Sequence, residues 1–364
     1  MNVTVIGAGV VGCAIAYELA ARGIAVRLID PRGTGQGASR ASAGMLAPRI
    51  EGHSEALLRL GLSSLELYDS FIARVAADAQ RRIEYRRAGT LQVALTNDEA
   101  RQLATEGRAL ADAGVPHTSL DSTGVRGIEP ALAEDVTAGL LIPDHGYVGV
   151  ATLVSALAEA AGRAGAALSA AQVRRVTAAS GSVRVETSEE TLTTDAVVLA
   201  AGSWSGGIPM APAPPAPVRP IRGQLLQLRF ERPPLSRVVW GADGYLVPWE
   251  NGRLLVGATV EDVGFDEGVT TEGVQRLLEC AQALVPAARS AKCDGARAGL
   301  RPATPDELPI VGASSTMPGV YYATGHYRNG VLLAPLTAFM VADLIVNGHE
   351  REGLALVRPD RFGL

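Results

Sequence analysis

Three glycines at the spacing Gly7-Ala8-Gly9-Val10-Val11-Gly12 follow directly on the apolar, β-branched run Val3-Thr4-Val5-Ile6. At this spacing Gly7 permits a tight turn, Gly9 lets backbone approach a phosphate, and Gly12 lets the following helix lie close on the strand. The free N–H groups of Val10 and Val11, in that helix's first turn, then face a negative ligand. A second apolar run, Ala25 to Ile29, ends at Asp30, 18 positions after Gly12, where a carboxylate can accept hydrogen bonds from ribose hydroxyls. A lone G-x-G-x-x-G is a weak signal. Here the preceding strand, the helical pattern Ala14, Ile15, Leu19 closed by Gly23, and the acid beyond it together predict a βαβ unit that seats a dinucleotide pyrophosphate.

The elements needed to hold such a site run the length of the chain. After Asp30 comes a loop with glycines at 33, 35 and 37, then the small side chains of Ala38 to Pro48, which suit backbone lying against a flat ligand. Periodicity predicts a helix from about Glu55 to Ala79 and another from Thr152 to Arg163, stopped near Gly165. Strand material is read at 83–93, 138–142, 171–176 and 183–185, with helix and loop in the charged stretch between the first two. The run Asp195 to Gly202 is a strongly apolar strand ending in a glycine turn. Six prolines between Pro209 and Pro220 mark the crossing into another domain.

Beyond them, Tyr245 to Glu250 and Arg253 to Thr259 flank Asn251-Gly252, the strongest short hairpin signal. A two-residue turn there would set Glu250 opposite Arg253 and Val247 opposite Val256, with Tyr245, Val247 and Trp249 on one face. Leu308 to Gly312 and Val320 to Gly325 return to glycine-punctuated apolar strand, and a helix starts near Gly330. The expected fold class is α/β: a discontinuous Rossmann-like dinucleotide-binding domain (1–85, 141–215 and 296–364) with a second, mostly antiparallel β domain for substrate (86–140 and 216–295).

Composition narrows the function. The 364 residues leave room for two domains, and 47% hydrophobic content with only 4% aromatics points to cores of aliphatic packing. A formal net charge of −5 offers no basic field for a phosphate backbone, so nucleic acid is not expected as a partner. Cys13, Cys280 and Cys293 form no C-x-x-C pair, which argues for a reducing compartment and against a disulfide framework or a zinc site; no metal is expected. No basic n-region precedes a cleavable apolar stretch, so the expected location is the cytoplasm. The apolar stretch Val331 to Val346 is short for a span and reads as a buried helix, without strong membrane association.

Five segments taken together carry a resemblance. They are the N-terminal fingerprint, Ser39-Arg40-Ala41-Ser42-Ala43-Gly44-Met45-Leu46-Ala47-Pro48, Tyr245-Leu246-Val247-Pro248, Gly299-Leu300-Arg301-Pro302-Ala303-Thr304-Pro305-Asp306, and the stretch from Gly325-His326-Tyr327-Arg328-Asn329-Gly330 to Pro335. In this order the chain resembles the FAD-dependent glycine oxidase branch of the D-amino acid oxidase and sarcosine oxidase superfamily. The resemblance implies FAD in an extended form, contacted by Gly7, Gly9, Val10, Val11, Gly12, Asp30, Pro31, Ala38, Ser39, Ala43, Gly44, Met45, the backbone of Val173, and His326, Tyr327, Arg328, Asn329, Gly330, Val331 and Leu332. Physical reading of the last group agrees, because a turn feeding a helix N-terminus puts partial positive charge beside the flavin, where it stabilises the reduced anion. Monomeric sarcosine oxidases hold flavin covalently through a cysteine just before the Thr-Pro-Asp motif. This chain has Gly299 at the matching place, which implies non-covalent FAD.

The resemblance also implies a small amino acid as substrate and O2 as acceptor. Arg301 is the candidate fork for the substrate carboxylate, since a guanidinium meets that planar group through two parallel charge-assisted hydrogen bonds. Tyr245 would add a phenol donor and Arg328 a second positive group at the mouth of the pocket. No side-chain base is required if the amine binds neutral, and none stands out in the sequence. The expected reaction is oxidative deamination of glycine, sarcosine or short D-amino acids with release of hydrogen peroxide, glycine imine feeding the thiazole of thiamine. The alternatives are a D-amino acid dehydrogenase that passes electrons to a quinone, an NAD-linked dehydrogenase, or a flavin-carrying subunit such as the oxidase half of a tRNA-modifying enzyme. Relatives imply a homo-oligomer.

Overall fold

Buried β-branched runs and glycine turns build the first of two large sheets. The computed structural model describes residues 1–51 and 54–364. Among these, Ile310–Ala313, Val320–Thr324, Ala196–Leu199, Asn2–Ile6, Ala25–Ile29 and Ala167–Ser169 lie side by side in that order, all neighbours parallel except the first pair. Val3 pairs with both Ala196 and Val26, so the N-terminal strand sits at the centre of the sheet. Its side chains alternate. Val3 and Val5 pack into a helical layer, whereas Ile6 joins the core beneath the strands Val173–Ala179 and Ser182–Thr187.

The helical layer comprises Val10–Ala21, Glu55–Ala79, Val150–Arg163 and Gly330–Asn347. One ionic knot ties three of these helices: Arg22 bridges Glu18 at 3.0 Å and Asp343 at 2.5 Å, and Arg74 joins the same Glu18. Gly330–Asn347 is long and apolar enough to cross a bilayer, and most of its residues are buried in this core instead. Pro335 inside it cannot donate to the Val331 carbonyl and crowds the preceding turn. The long helix repairs the gap. Tyr68 donates its hydroxyl to Val331 O at 2.6 Å, and Ser64 donates to Leu332 O at 2.6 Å.

The second sheet runs Lys292–Ala303, Arg219–Arg229, Arg253–Gly257, Gly244–Pro248, Val238–Gly241, Thr90–Ala94, Ala138–Ile142 and Thr118–Asp121. Only Val238–Gly241 and Thr90–Ala94 are parallel neighbours. One face packs under the helices Thr271–Leu284 and Ser122–Ile128, with Leu91, Leu246, Leu254 and Val256 inward. The opposite face carries Leu225, Val238, Val247 and Leu255 against Ala43 and Met45, so the first sheet's loop closes over it.

The hairpin differs from the expected register. Val247 pairs with Leu255 and Leu246 with Val256, while Trp249 accepts from Gly252 and donates to Arg253 across a three-residue loop. Gly252 has φ +79 and Asn251 does not adopt a positive φ. A two-residue type I′ turn needs positive φ at both positions; a type I turn closed by a left-handed glycine takes one more residue and shifts the partner strand by one. Tyr245, Val247 and Trp249 keep their shared face. The edge strand Thr118–Asp121, in the stretch expected to be helix and loop, is the other departure.

Candidate active site

A cleft of about 1550 Å³, its open mouth included, runs between the two sheets from Gly9 at one helix N-terminus to Gly330 at another. At the first end Gly12 fits only as glycine, since a Cβ there would stand 1.9 Å from Gly7 O. Asp30 fixes the turn, one oxygen accepting from Ala8 N at 2.9 Å and the other from Arg32 N at 2.8 Å. Neither Gly9 nor Asn329 gives its helix a side-chain cap, although Ser39 Oγ accepts from Val10 N at 2.9 Å. Uncapped first turns leave N–H groups and the positive end of the dipole for an anion or a reduced ring.

Of the residues expected to hold the cofactor, Gly7, Gly9, Val10, Val11, Asp30, Ala38, Ser39, Ala43, Gly44, Met45, His326, Tyr327, Arg328, Gly330 and Val331 line this cleft. Five lie outside its wall. Gly12 packs beneath it, Val173 and Leu332 are buried in the flanking cores, Asn329 is buried behind the turn, and Pro31 is exposed. The turn before the last helix is bent at Tyr327, whose φ of 46 lies in the left-handed region, and its N–H donates to Pro302 O at 2.8 Å. His326 is buried and its Nε2 shares a hydrogen bond with Thr337 Oγ1 at 3.0 Å; burial lowers its pKa to about 4, so the ring is neutral at neutral pH.

Tyr245, Arg301 and Arg328 meet in this cleft from three separate segments. Arg301 stands on the strand Lys292–Ala303 and lies flat over its neighbour: a Cβ on Gly223 would be 2.2 Å from its Nη2. Its Nη1 donates to Thr259 O at 2.9 Å and to Arg222 O at 3.4 Å, which leaves the Nε and Nη2 donors for a ligand. Tyr245 lies over Gly257 in the same way, with a Cβ there 2.4 Å from its hydroxyl, and Trp240 packs on its ring at 5.0 Å between centroids. Burial pushes the phenol up to about 12 against the pull of Arg301, so it is a hydrogen-bond donor at neutral pH. Arg328 Nε is buried without a partner among the described residues.

Sequence reasoning missed Glu51. It ends the short helix Pro48–Glu51, lines the cleft and is 7% exposed. Burial raises its pKa to about 7, opposed by the charges of Arg328 and Arg301. The signal was a lone carboxylate just beyond the small-residue run, with Pro48 at a helix start. Arg32, 4.0 Å over the ring of Trp204, and Trp204 itself also line the cleft and were not anticipated. Cys13 and Cys280 are buried, Cys293 is exposed, and none of the three lines the cleft.

Small-residue walls, two helix starts whose own N-cap residues supply no side-chain cap, and an acid at the ribose position fit an extended dinucleotide. Residues 2–344 match the FAD dependent oxidoreductase family, and the chain belongs to that family and uses FAD. It is 35% identical to a glycine oxidase of Geobacillus kaustophilus over 94% of this chain and 92% of the relative, whose crystal structure superposes with a TM-score of 0.91 over 96% of this chain and 95% of that one. A bifunctional ThiO/ThiG protein of a Nostoc species is 36% identical over 95% of this chain, which spans 52% of that relative. An iminodiacetate oxidase of Chelativorans shows the same architecture, with a TM-score of 0.88 at 26% identity over 98% of each chain.

Proposed function

We propose that the protein is an amino acid oxidase that deaminates glycine and other small amines, sarcosine and short D-amino acids among them. The observation that supports this reading most is the convergence of the Arg301 fork, the Tyr245 phenol and Arg328 at one end of the FAD cleft. Bound in the cleft, FAD supplies a hydride acceptor whose electrons pass on to O2, giving hydrogen peroxide. The start of Val10–Ala21 would hold the diphosphate, Asp30 the ribose, and the turn from His326 to Gly330 the ring.

The protein's own contribution is to clamp and orient. Arg301 and Tyr245 grip the substrate carboxylate, Arg328 adds charge, and the Cα hydrogen is thereby presented to the ring, so that orientation removes much of the barrier. Trp240, which lines the cleft and packs on the Tyr245 ring, helps keep water from the reacting carbon. The imine product leaves to hydrolyse to a 2-oxo acid and ammonia or, from glycine, to supply the thiazole of thiamine, a role supported by the likeness to ThiO/ThiG proteins.

A peroxide assay with glycine, sarcosine, D-alanine and D-proline tests the reading on wild type and Arg301→Ala. The variant should retain FAD absorbance and lose about 2–5 kcal/mol of transition-state binding, a loss in kcat/KM on the order of 30- to 5,000-fold, because the substrate's carboxylate loses its main charged partner. Unchanged turnover in Arg301→Ala would remove the carboxylate clamp.

A further inference from the structure

Three acidic side chains line the cleft, and their surroundings differ. Asp30 is occupied by two backbone N–H groups, and Asp243 is exposed at the mouth. Glu51 is buried at the end that holds Arg301, Arg328 and Tyr245, and no described residue donates a hydrogen bond to it. A buried carboxyl that borders open space and accepts no hydrogen bond from the described residues is placed to meet a ligand.

The groups around Glu51 are few. Arg328 comes from the turn after Thr324, Arg301 from the strand Lys292–Ala303, and Tyr245 from the hairpin. Arg49 on its own short helix turns away toward Asp144 at 3.8 Å, beside the buried His145. The long helix meets this segment at Gly61, where a Cβ would stand 2.8 Å from Pro48 Cβ, so it presents no charge there. With both arginines charged, an amino acid that brings a carboxylate and an ammonium places its cation in a field already positive. Among the described residues, Glu51 is the one buried anion there to offset it.

We propose that Glu51 binds the substrate's ammonium group and accepts its proton, and that it thereby selects amino acids over amine-free acids. This rests on the amino acid oxidase reading above. In the step, one N–H bond of the ammonium breaks, its electron pair stays on nitrogen, and the proton bonds a Glu51 carboxylate oxygen. That lone pair then forms the C=N bond of an iminium as the Cα hydrogen leaves with its electron pair to the flavin, reoxidised by O2. Glu51 afterwards returns its proton to water. The two guanidinium groups lower the ammonium's own pKa by like-charge repulsion, and the raised pKa of Glu51 narrows the gap from the other side. Both shifts favour transfer.

The test compares wild-type holoenzyme with the isosteric Glu51→Gln variant, FAD content and melting temperature being checked first. Wild-type kcat/KM for glycine should climb through about pH 7 as Glu51 ionises. In Glu51→Gln only amine already neutral in solution reacts, so the climb moves up toward pH ~10, where aliphatic ammonium groups such as that of lysine titrate, and kcat/KM at pH 7.5 falls about a hundredfold. A second measurement needs no turnover: acetate titrated into the holoenzyme and followed by flavin absorbance should bind more weakly to wild type as pH rises through about 7, and show no such pH dependence in Glu51→Gln. A rate loss of the same size at every pH, or wild-type acetate affinity flat across pH 6–8, overturns the proposal while wild-type turnover of glycine still supports the oxidase reading. Wild type inert toward every amino acid overturns that reading itself.

Discussion

The two ends of the cleft offer a ligand opposite kinds of surface. At the Gly9 end the groups on offer are backbone N–H groups and small side chains, with the half-buried Asp30 the acid of the turn. At the Arg301 end they are long charged and aromatic side chains laid over glycines of neighbouring strands, Arg301 over Gly223 and Tyr245 over Gly257. Backbone recognition compresses its signature into a few consecutive residues. Side-chain recognition scatters it over positions 51, 245, 301 and 328, which meet only after the sheets form.

This contrast can be broken from either side. The largest effect should come from Gly12→Val, whose side chain would enter the space of Gly7 O, 1.9 Å from the Cβ position. The expected product is colourless or unfolded protein, read from the flavin absorbance and circular dichroism; a yellow, fully folded variant would show that the close strand-to-helix approach is not needed for the cofactor.

Acid should separate the ends next. His326, in the turn at the far end, has its pKa lowered by burial from 6.5 to about 4, whereas the first glycine turn contains no histidine. As pH falls, the unfolded chain takes up the proton first, so the stability tied to the neutral ring is complete above pH 6.5 and drains away between there and about pH 4. The loss amounts to roughly a few kcal/mol. Melting temperatures from pH 7 to 4 should fall in wild type and fall less steeply in His326→Asn; parallel curves would assign the acid sensitivity to other groups, buried His145 first among them.

The smallest effect should be Tyr245→Phe. It removes one neutral donor and leaves the ring over Gly257, for about 1 kcal/mol, or several-fold in kcat/KM. A loss as large as that of Arg301→Ala would make the phenol an equal partner in the clamp.

Legibility in the sequence followed the same division. The helix Glu55–Ala79 and the strand Ala138–Ile142 stand where their periodicity put them, because each buries one continuous stripe or face. The hairpin slipped by one residue because Asn251-Gly252 permits two loop lengths, and the choice depends on backbone angles that composition does not encode. Thr118–Asp121 was not anticipated, since an exposed edge strand of Thr, Ser and Asp lacks apolar alternation. Glu51 was missed for a related reason: its meaning comes from arginines 250 and 277 positions downstream, not from its neighbours. Likewise nothing local marks Gly223 or Gly257 as seats for side chains.

The repair of Pro335 by Ser64 and Tyr68 has a mechanical corollary. Those hydroxyls, and Gly61 wedged between Pro48 and Leu332, anchor the proposed proton acceptor and the helix start at the proposed flavin site to a single rod, Glu55–Ala79. A mutation on that rod's inner stripe, remote from both ligands, therefore reaches the chemistry by tilting its two mounts together.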